Sequence, residues 1–220
     1  MRVITTINGG TVFDFTQRNR TVSKSVIIED LNDFSSIHSL GSGAKGVSSS
    51  NPYKRIVFVL SGQLECTNRT TGHTWTCPEG SFTIFPGNCT TGFSAAEDTV
   101  ALRIVVVNPT EIYSILEDEK AYDLKQLVPE QEDSSVFIHI LSCGNTKIWA
   151  VTMVEGKFFE AETLNSNMVY MCLEGEVKIT YQDKERILHE NQCFYGLKDN
   201  GIHLQAGASP TRLLIMKDIL

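Results

Sequence analysis

The stretch Arg55–Gly62, RIVFVLSG, is an apolar run that closes on a glycine, and it recurs at Met168–Gly175 as MVYMCLEG. The two glycines lie 113 residues apart in a chain of 220. Each run is too short for an amphipathic helix and is rich in β-branched and aromatic residues, so each is predicted to be a buried strand. Each glycine is expected where its strand bends or turns, which needs no side chain or a positive φ.

The two halves also agree in the order of their other strands. PEGSF at 78–82 matches HENQC at 189–193, and ALRIVV at 101–106 matches RLLIMK at 212–217, both at an offset of 111 residues. A repeat of strands with turn signals at short intervals is typical of a double-sheet jelly roll. The sequence therefore predicts an all-β fold in which one jelly roll is used twice.

One segment departs from this pattern. Pro109–Gln126 is acidic, and Ile112, Ile115 and Leu116 follow the i, i+3, i+4 spacing of a helix whose first turn accepts proline. The segment is predicted to be a short helical connector between the halves. The predicted domains are therefore an N-terminal domain (1–108), the connector (109–134) and a C-terminal domain (135–220).

A hairpin follows the first key stretch. A two-residue turn at Thr71-Gly72 would place Cys66 directly opposite Cys77. A disulfide between them is left open. The favoured interpretation is that the two cysteines are simply small apolar side chains in a strand pair. The six cysteines form no CxxC pair, which favours reduced thiols.

Composition limits the partners. The net charge is −7, the basic residues form no cluster, and no nucleic-acid surface is expected. No apolar run approaches the roughly 18 residues of a membrane span, and the N-terminus lacks the apolar core of an export signal. We therefore expect a cytoplasmic protein that binds neither nucleic acid nor membranes.

The motifs resemble those of the cupin superfamily. VLSGQL and CLEGEV are similar to the strand that ends the first cupin motif, and PEGSFTIFPGN and HENQCFYGLKDNGIH to the approach to the second. The chain thus resembles a bicupin, with two tandem cupin (double-stranded β-helix, jelly-roll) barrels. A weaker similarity, at Asn8–Thr11 and Tyr53–Val57, is to HutD/Ves-type bicupins.

The resemblance implies where metal ligands would stand. The family's glutamate precedes the closing glycine by seven residues, which places it on Arg55 in the first half and on Met168 in the second. Its His-x-His pair falls around residues 48–51 and 161–164, where this chain has no histidine. Imidazole and carboxylate together hold transition metals in such sites. This pattern is missing here.

The second motif's histidine has one counterpart. No histidine stands at 88–92, but His203 occupies the position in the second half. We expect no metal cofactor, because a lone histidine is a poor divalent site. If a metal binds, His203, Glu162 and Glu160 are its candidate ligands. The alternative is that His203 lines the cavity and bonds a ligand or a neighbour.

Arginine at the glutamate position suggests a different ligand. A guanidinium inside an apolar barrel needs an anionic partner, either a ligand carboxylate or phosphate or a protein acid such as Glu65. Arg103, in an apolar strand, is a second group of this kind. The alternative that both arginines point outward is left open. The candidate ligand-binding residues are Arg55, Arg103, Tyr170 and His203.

These observations favour a bicupin that binds a small polar or anionic molecule in a sensing, regulatory or accessory role. One alternative is a metal-dependent isomerase, lyase or dioxygenase acting through His203. Another is a purely structural role, since cupins commonly dimerise through their sheets and a homodimer is expected. The sequence identifies no catalytic residue.

Overall fold

The computed structural model describes residues 3–6, 10, 12–14, 22–29, 33–106, 116–123, 131–132, 135–143, 146–161, 167–197 and 202–218. All regular structure in these ranges is β-strand, which confirms the predicted all-β class. In the same ranges, no helix is long and apolar enough to span a bilayer.

The first half of the chain contains β1 (Val3–Thr6), β2 (Val12–Asp14), β3 (Val22–Glu29), β4 (Asp33–Leu40), β5 (Lys45–Asn51), β6 (Lys54–Ser61), β7 (Gln63–Asn68), β8 (Thr74–Pro78), β9 (Ser81–Phe85), β10 (Cys89–Ser94) and β11 (Thr99–Val106). The second half contains β12 (Ala121–Asp123), β13 (Gln131–Glu132), β14 (Val136–Cys143), β15 (Thr146–Met153), β16 (Phe158–Ala161), β17 (Met168–Glu174), β18 (Glu176–Tyr181), β19 (Lys184–His189), β20 (Gln192–Gly196), β21 (Ile202–Ala206) and β22 (Thr211–Asp218).

The chain divides into two compact units, which we call unit 1 and unit 2. Unit 1 comprises Met1–Thr6, Thr16–Gln126 and Cys143–Asn145. It contains a seven-stranded sheet in the order β1-β3-β4-β11-β6-β9-β12 and a four-stranded sheet in the order β5-β10-β7-β8. The first key stretch forms β6, an interior strand of this sheet between β11 and β9, as a buried apolar run should.

Unit 2 comprises Ile7–Phe15, Leu127–Ser142 and Thr146–Leu220. Its sheets run β13-β14-β15-β22-β17-β20-β2 and β16-β21-β18-β19. The order β15-β22-β17-β20 is the counterpart of β4-β11-β6-β9 in unit 1. The second key stretch, β17, therefore holds the same place in its sheet as β6 does. Both units draw on separated segments of chain, whereas the predicted domains 1–108 and 135–220 are contiguous.

The two closing glycines behave as predicted. Gly62 has a φ of 75° and Gly175 a φ of 77°, in the left-handed region that favours glycine. A Cβ at Gly62 would clash with the carbonyl oxygen of Asp98, and one at Gly175 with that of Pro210. Each glycine thus provides a turn and a close backbone approach that other residues would disrupt.

The predicted hairpin register is wrong. Cys77 lies opposite Leu64 and Cys66 opposite Trp75, so the strands are shifted by two residues from the prediction. The loop is longer than two residues because Asn68 closes it: its Oδ1 accepts hydrogen bonds from two loop amides, and its own amide donates to the carbonyl of His73 at 2.9 Å. Cys66 and Cys77 are free thiols.

The predicted helical connector is wrong at the residues that the structure describes. Residues 107–115 and 124–130 lie outside the described part of the chain, but Ala121–Asp123 forms a strand on the edge of the unit 1 sheet. Tyr122 lies opposite Phe82, and their ring centroids are 5.6 Å apart. Pairing with a sheet edge and this ring contact outweigh the helical spacing of the apolar residues.

Candidate functional site

Strand β6 directs alternate side chains to opposite faces of the unit 1 sheet. Val57 and Val59 belong to a buried cluster with Leu64 and Phe85, and we call their side of the sheet the inner face of unit 1. Arg55 is on the same face by alternation and is only 1% exposed. The alternative that Arg55 points outward is therefore wrong.

The Arg55 guanidinium is held by neutral groups. Its Nη1 donates to Thr91 Oγ1 at 3.1 Å, and its Nη2 donates to the carbonyl oxygen and to Sγ of Cys89, both at 3.0 Å. A longer bond of 3.5 Å reaches the carbonyl of Pro86. The guanidinium carbon lies 5.7 Å from the ring centroid of Phe85, within range of a cation–π interaction.

No carboxylate contacts this buried charge among the described residues. The alternative in which Arg55 pairs with Glu65 is wrong, because Glu65 is exposed and accepts a hydrogen bond from Ser94 Oγ at 2.8 Å. The buried Nε of Arg55 has no hydrogen-bond acceptor in the part of the chain that the structure describes. Burial lowers the pKa of Arg55, and the neighbouring Cys89 opposes that shift. A buried cation without a counterion is costly unless an anion joins it.

Arg103 is on the same inner face. It lies directly opposite Val57 in the pairing of β11 with β6, and residues opposite each other in an antiparallel pair share a face. Arg55 is two residues from Val57, so the two arginines are diagonal neighbours on adjacent strands. Arg103 is partly exposed, unlike Arg55. The structure thus brings together two of the four predicted ligand-binding residues.

Strand β4 adds two polar residues that the sequence reasoning did not select. Ser36 lies directly opposite Arg103, and His38 opposite Ala101, a member of the inner cluster. Ser36 Oγ and His38 Nε2 are 2.9 Å apart, which is hydrogen-bonding distance. Ser36 is fully buried. Alternation along DFSSIHSL places Ser36, His38 and Leu40 on one face of a strand, but the sequence alone does not show which face is the inner one.

A carboxylate lies near the Arg55 end of the barrel without contacting the guanidinium. Glu119 accepts hydrogen bonds from Asn68 Nδ2 and, at 3.1 Å, pairs with His73 Nδ1. Asn68 is the cross-strand partner of Thr91, which in turn accepts the bond from Arg55. Two side chains therefore separate Glu119 from Arg55 along this path.

Cys89 is a neutral neighbour of Arg55 at physiological pH. Burial raises the pKa of the Cys89 thiol, the Arg55 charge partly opposes this, and the Glu119 carboxylate reinforces it. The thiol donates a hydrogen bond to the carbonyl of Pro86 at 3.0 Å. A protonated, buried thiol is not an activated nucleophile.

The corresponding positions of unit 2 are apolar. Strand register places Met168 at the position of Arg55 and Ile215 at that of Arg103. By the same register, Ser36, His38, Thr83 and Thr91 of unit 1 correspond to Trp149, Val151, Phe194 and Ile202. All of these unit 2 residues belong to, or pack against, one buried hydrophobic cluster.

The two predicted site residues in unit 2 do not form a polar site. Tyr170 is buried in that cluster, and its hydroxyl donates to Met168 Sδ at 3.4 Å. His203 is exposed, because the alternation along β21 directs Ile202 and Leu204 inward instead. The expectation that His203 lines the cavity is therefore wrong.

The residues at the family's metal positions do not fit a metal ion. A guanidinium at Arg55 and a thioether at Met168 replace the carboxylate, and among the described residues no three His, Cys, Asp or Glu side chains are grouped to hold an ion. Glu160 lies opposite His203 in the sheet, with its side chain outside the described set. Glu162 lies outside the described residues altogether.

No family model and no curated protein matches this chain by sequence. Solved structures do match it. A cupin 2 conserved barrel domain protein from Leptotrichia buccalis has a TM-score of 0.77 at 15% identity, covering 96% of this chain and 98% of that one. A putative glyoxylate-induced protein from Pseudomonas aeruginosa has a TM-score of 0.71 at 14% identity, covering 90% and 81%.

A variant of oxalate decarboxylase from Bacillus subtilis matches with a TM-score of 0.67 at 13% identity, covering 97% of this chain and 78% of that one. Sequence identities this low support a shared fold but do not support a shared activity. The strand order, the glycine turns and these structural matches agree with the resemblance of the two sequence motifs to those of cupins. The chain has the cupin-barrel fold.

Proposed function

We propose that unit 1 binds a small carboxylate through Arg55 and Arg103, in a sensing, regulatory or accessory role. The observation that supports this most is the contrast between the two inner faces. Unit 2 fills the same positions with apolar side chains, so the fold itself does not require two arginines, a serine and a histidine there. Burying polar groups inside a barrel costs desolvation free energy. Their presence there therefore indicates a binding site.

The state of Arg55 favours an anion as the ligand. Its charge has only neutral partners among the described residues, and its Nε has a free donor. A carboxylate, like a phosphate, offers two oxygens that match the planar guanidinium. Because Arg55 is covered, side chains around it must move when a ligand enters, whereas the partly exposed Arg103 offers a first contact.

Two of the similar structures are named for small carboxylates, oxalate for the decarboxylase and glyoxylate for the induced protein. For this chain, they suggest two-carbon acids as the first ligands to test. The metal-dependent alternative through His203 gains no support, since His203 is exposed and its strand neighbours point into the core. We therefore favour binding over catalysis.

The experiment is isothermal titration of the purified chain with acetate, glycolate, glyoxylate, oxalate and inorganic phosphate at pH 7. We expect at least one carboxylate to bind. Arg55→Met and Arg103→Ile install the residues that unit 2 uses, and each should weaken that binding by roughly tenfold or more, since a charge-assisted hydrogen bond contributes about 1.5–3 kcal/mol.

The matched control is Arg212→Met. Arg212 is an arginine of unit 2 whose Nε lies 2.6 Å from Glu174 Oε2, so it already has a protein carboxylate, and its loss should leave binding unchanged. Failure of every carboxylate to bind, or binding of phosphate alone, would contradict the proposal. So would wild-type affinity for the carboxylate in both Arg55→Met and Arg103→Ile.

A further inference from the structure

Ser36 and His38 form a second polar group beside the two arginines. Both are on β4, two residues apart on the inner face of unit 1, with Ser36 Oγ 2.9 Å from His38 Nε2. Ser36 lies directly opposite Arg103, and such a pair has Cβ atoms about 5 Å apart. Arg103 and the Ser36–His38 pair thus start from neighbouring positions on the inner face, where one ligand could contact both.

The Ser36 hydroxyl has hydrogen-bonding capacity left for a ligand. A serine hydroxyl has one donor hydrogen and two acceptor lone pairs, and the contact with His38 uses one of the three. His38 is partly exposed while Ser36 is fully buried, so the pair extends from the solvent-accessible part of the inner face to its interior. The pair is therefore suited to a hydrogen bond between the Ser36 hydroxyl and one neutral oxygen of a ligand.

The fold does not need these two residues to be polar. Trp149 and Val151 occupy the corresponding positions in unit 2 and pack against its hydrophobic cluster. The buried Ser36 hydroxyl needs the contact with His38 to offset its desolvation, whereas an apolar residue would need no such partner. The polarity at this position therefore indicates recognition of a ligand group.

On the basis of the proposed function, we propose that the ligand is a carboxylate with a hydroxyl or carbonyl oxygen on the neighbouring carbon. Arg55 and Arg103 bind the carboxylate, and Ser36, oriented by its contact with His38, binds the second oxygen. Ser36 and His38 are thus specificity-determining residues. They distinguish such acids from plain carboxylates of the same size.

The test compares glycolate with acetate, which lacks only the hydroxyl. A site that bonds a ligand oxygen strongly rejects the analogue without it, and we expect the wild-type chain to bind glycolate at least roughly tenfold more tightly than acetate. Ser36→Ala should abolish most of this preference while changing acetate affinity by less than about twofold, because the lost bond serves only the second oxygen.

The control is Ser35→Ala, the neighbouring residue on the opposite face of β4. Ser35 is also buried, its Oγ has no hydrogen-bond partner, and its removal should leave both affinities unchanged. His38→Gln is the second variant, and it should reduce the preference for glycolate even if Ser36→Ala fails to fold, which circular dichroism and a thermal melt would reveal.

The outcomes separate the two proposals. If neither glycolate nor acetate binds, and the other anions of the titration also fail to bind, both the proposed function and this inference are contradicted. If carboxylates bind but glycolate is no tighter than acetate, the proposed function stands and the Ser36–His38 assignment is overturned. A preference for glycolate that survives both Ser36→Ala and His38→Gln overturns it as well.

Discussion

At the scale of single residues, Arg55 is a buried charge whose partners among the described residues are all neutral. Its guanidinium is removed from water yet has no carboxylate among the described residues, only carbonyls, a hydroxyl, a thiol and an aromatic ring. Such a charge contributes little to stability, because its desolvation offsets the bonds that it makes. A carboxylate ligand would supply the missing counterion.

Arg55→Met should therefore lower the free energy of unfolding by no more than about 3 kcal/mol, the cost of the carbonyl and hydroxyl acceptors that the change leaves without a donor. Removing one partner of a buried ion pair costs roughly 3–5 kcal/mol because a bare charge stays behind, but Arg55 leaves only neutral groups. Urea unfolding of the two proteins measures the difference. A loss above about 3 kcal/mol would show that Arg55 neutralises a buried protein acid.

Met168→Arg is the reciprocal change and should be much more damaging. Met168 is packed in the hydrophobic cluster of unit 2, where its neighbours are apolar. An arginine there has neither the hydroxyl of a Thr91 equivalent, since Ile202 stands at that position, nor a ligand. We expect a loss of several kcal/mol, or failure to fold, in the same urea experiment.

At the scale of strands, alternation decides which residues enter a barrel, and a shift by one residue reverses the answer. The sequence placed His203 at a motif position, but Ile202 is the inward residue on β21. Along β6 the same rule groups Arg55 with Val57 and Val59, and all three are buried in the structure, which decides against an outward Arg55. In the hairpin of β7 and β8 the loop is longer than the predicted two-residue turn, and the predicted register was wrong by two residues.

The closing glycines yield a prediction at this scale. Gly62→Ala should lower the free energy of unfolding by at least roughly 1–3 kcal/mol, because alanine is strained at positive φ and its Cβ would meet the carbonyl of Asp98. Gly46→Ala is the control, since an added Cβ there would have nothing within 4 Å and the backbone has no positive φ. Equal effects of the two changes in thermal or urea unfolding would contradict this account.

At the scale of the whole molecule, the two units share a strand order and differ in what fills them. The sequence predicted the shared part well, because buried strands and turning glycines leave local patterns in the chain. It also selected Arg55 and Arg103. It missed Ser36 and His38, since a polar residue in a strand looks the same from sequence whether it faces solvent or a barrel interior, and only the pairing of β4 with β11 distinguishes the two.

Stability at high pH offers a test of how tightly unit 2 is packed. Burial raises the pKa of Cys172 and of Cys193 from the ordinary value of 9.0 to about 12. Above pH 9 the unfolded chain loses these protons while the folded chain keeps them, so the unfolded state is favoured. The stabilising contribution is fully present below pH 9 and is lost progressively as pH rises towards 12.

We therefore expect the free energy of unfolding in urea to fall steadily between about pH 9 and pH 11, with each thiol contributing up to about 1.4 kcal/mol per pH unit. Replacing Cys172 and Cys193 together by alanine should reduce this slope, even though the variant is less stable at pH 7 because of the small cavities left behind. Other titrating groups, among them the buried Tyr170, whose pKa burial also raises, remain in the variant and account for the slope that persists. An unchanged slope in the double variant would mean that solvent reaches these thiols in the folded chain, and the apolar interior of unit 2 would then be open enough to admit a ligand of its own.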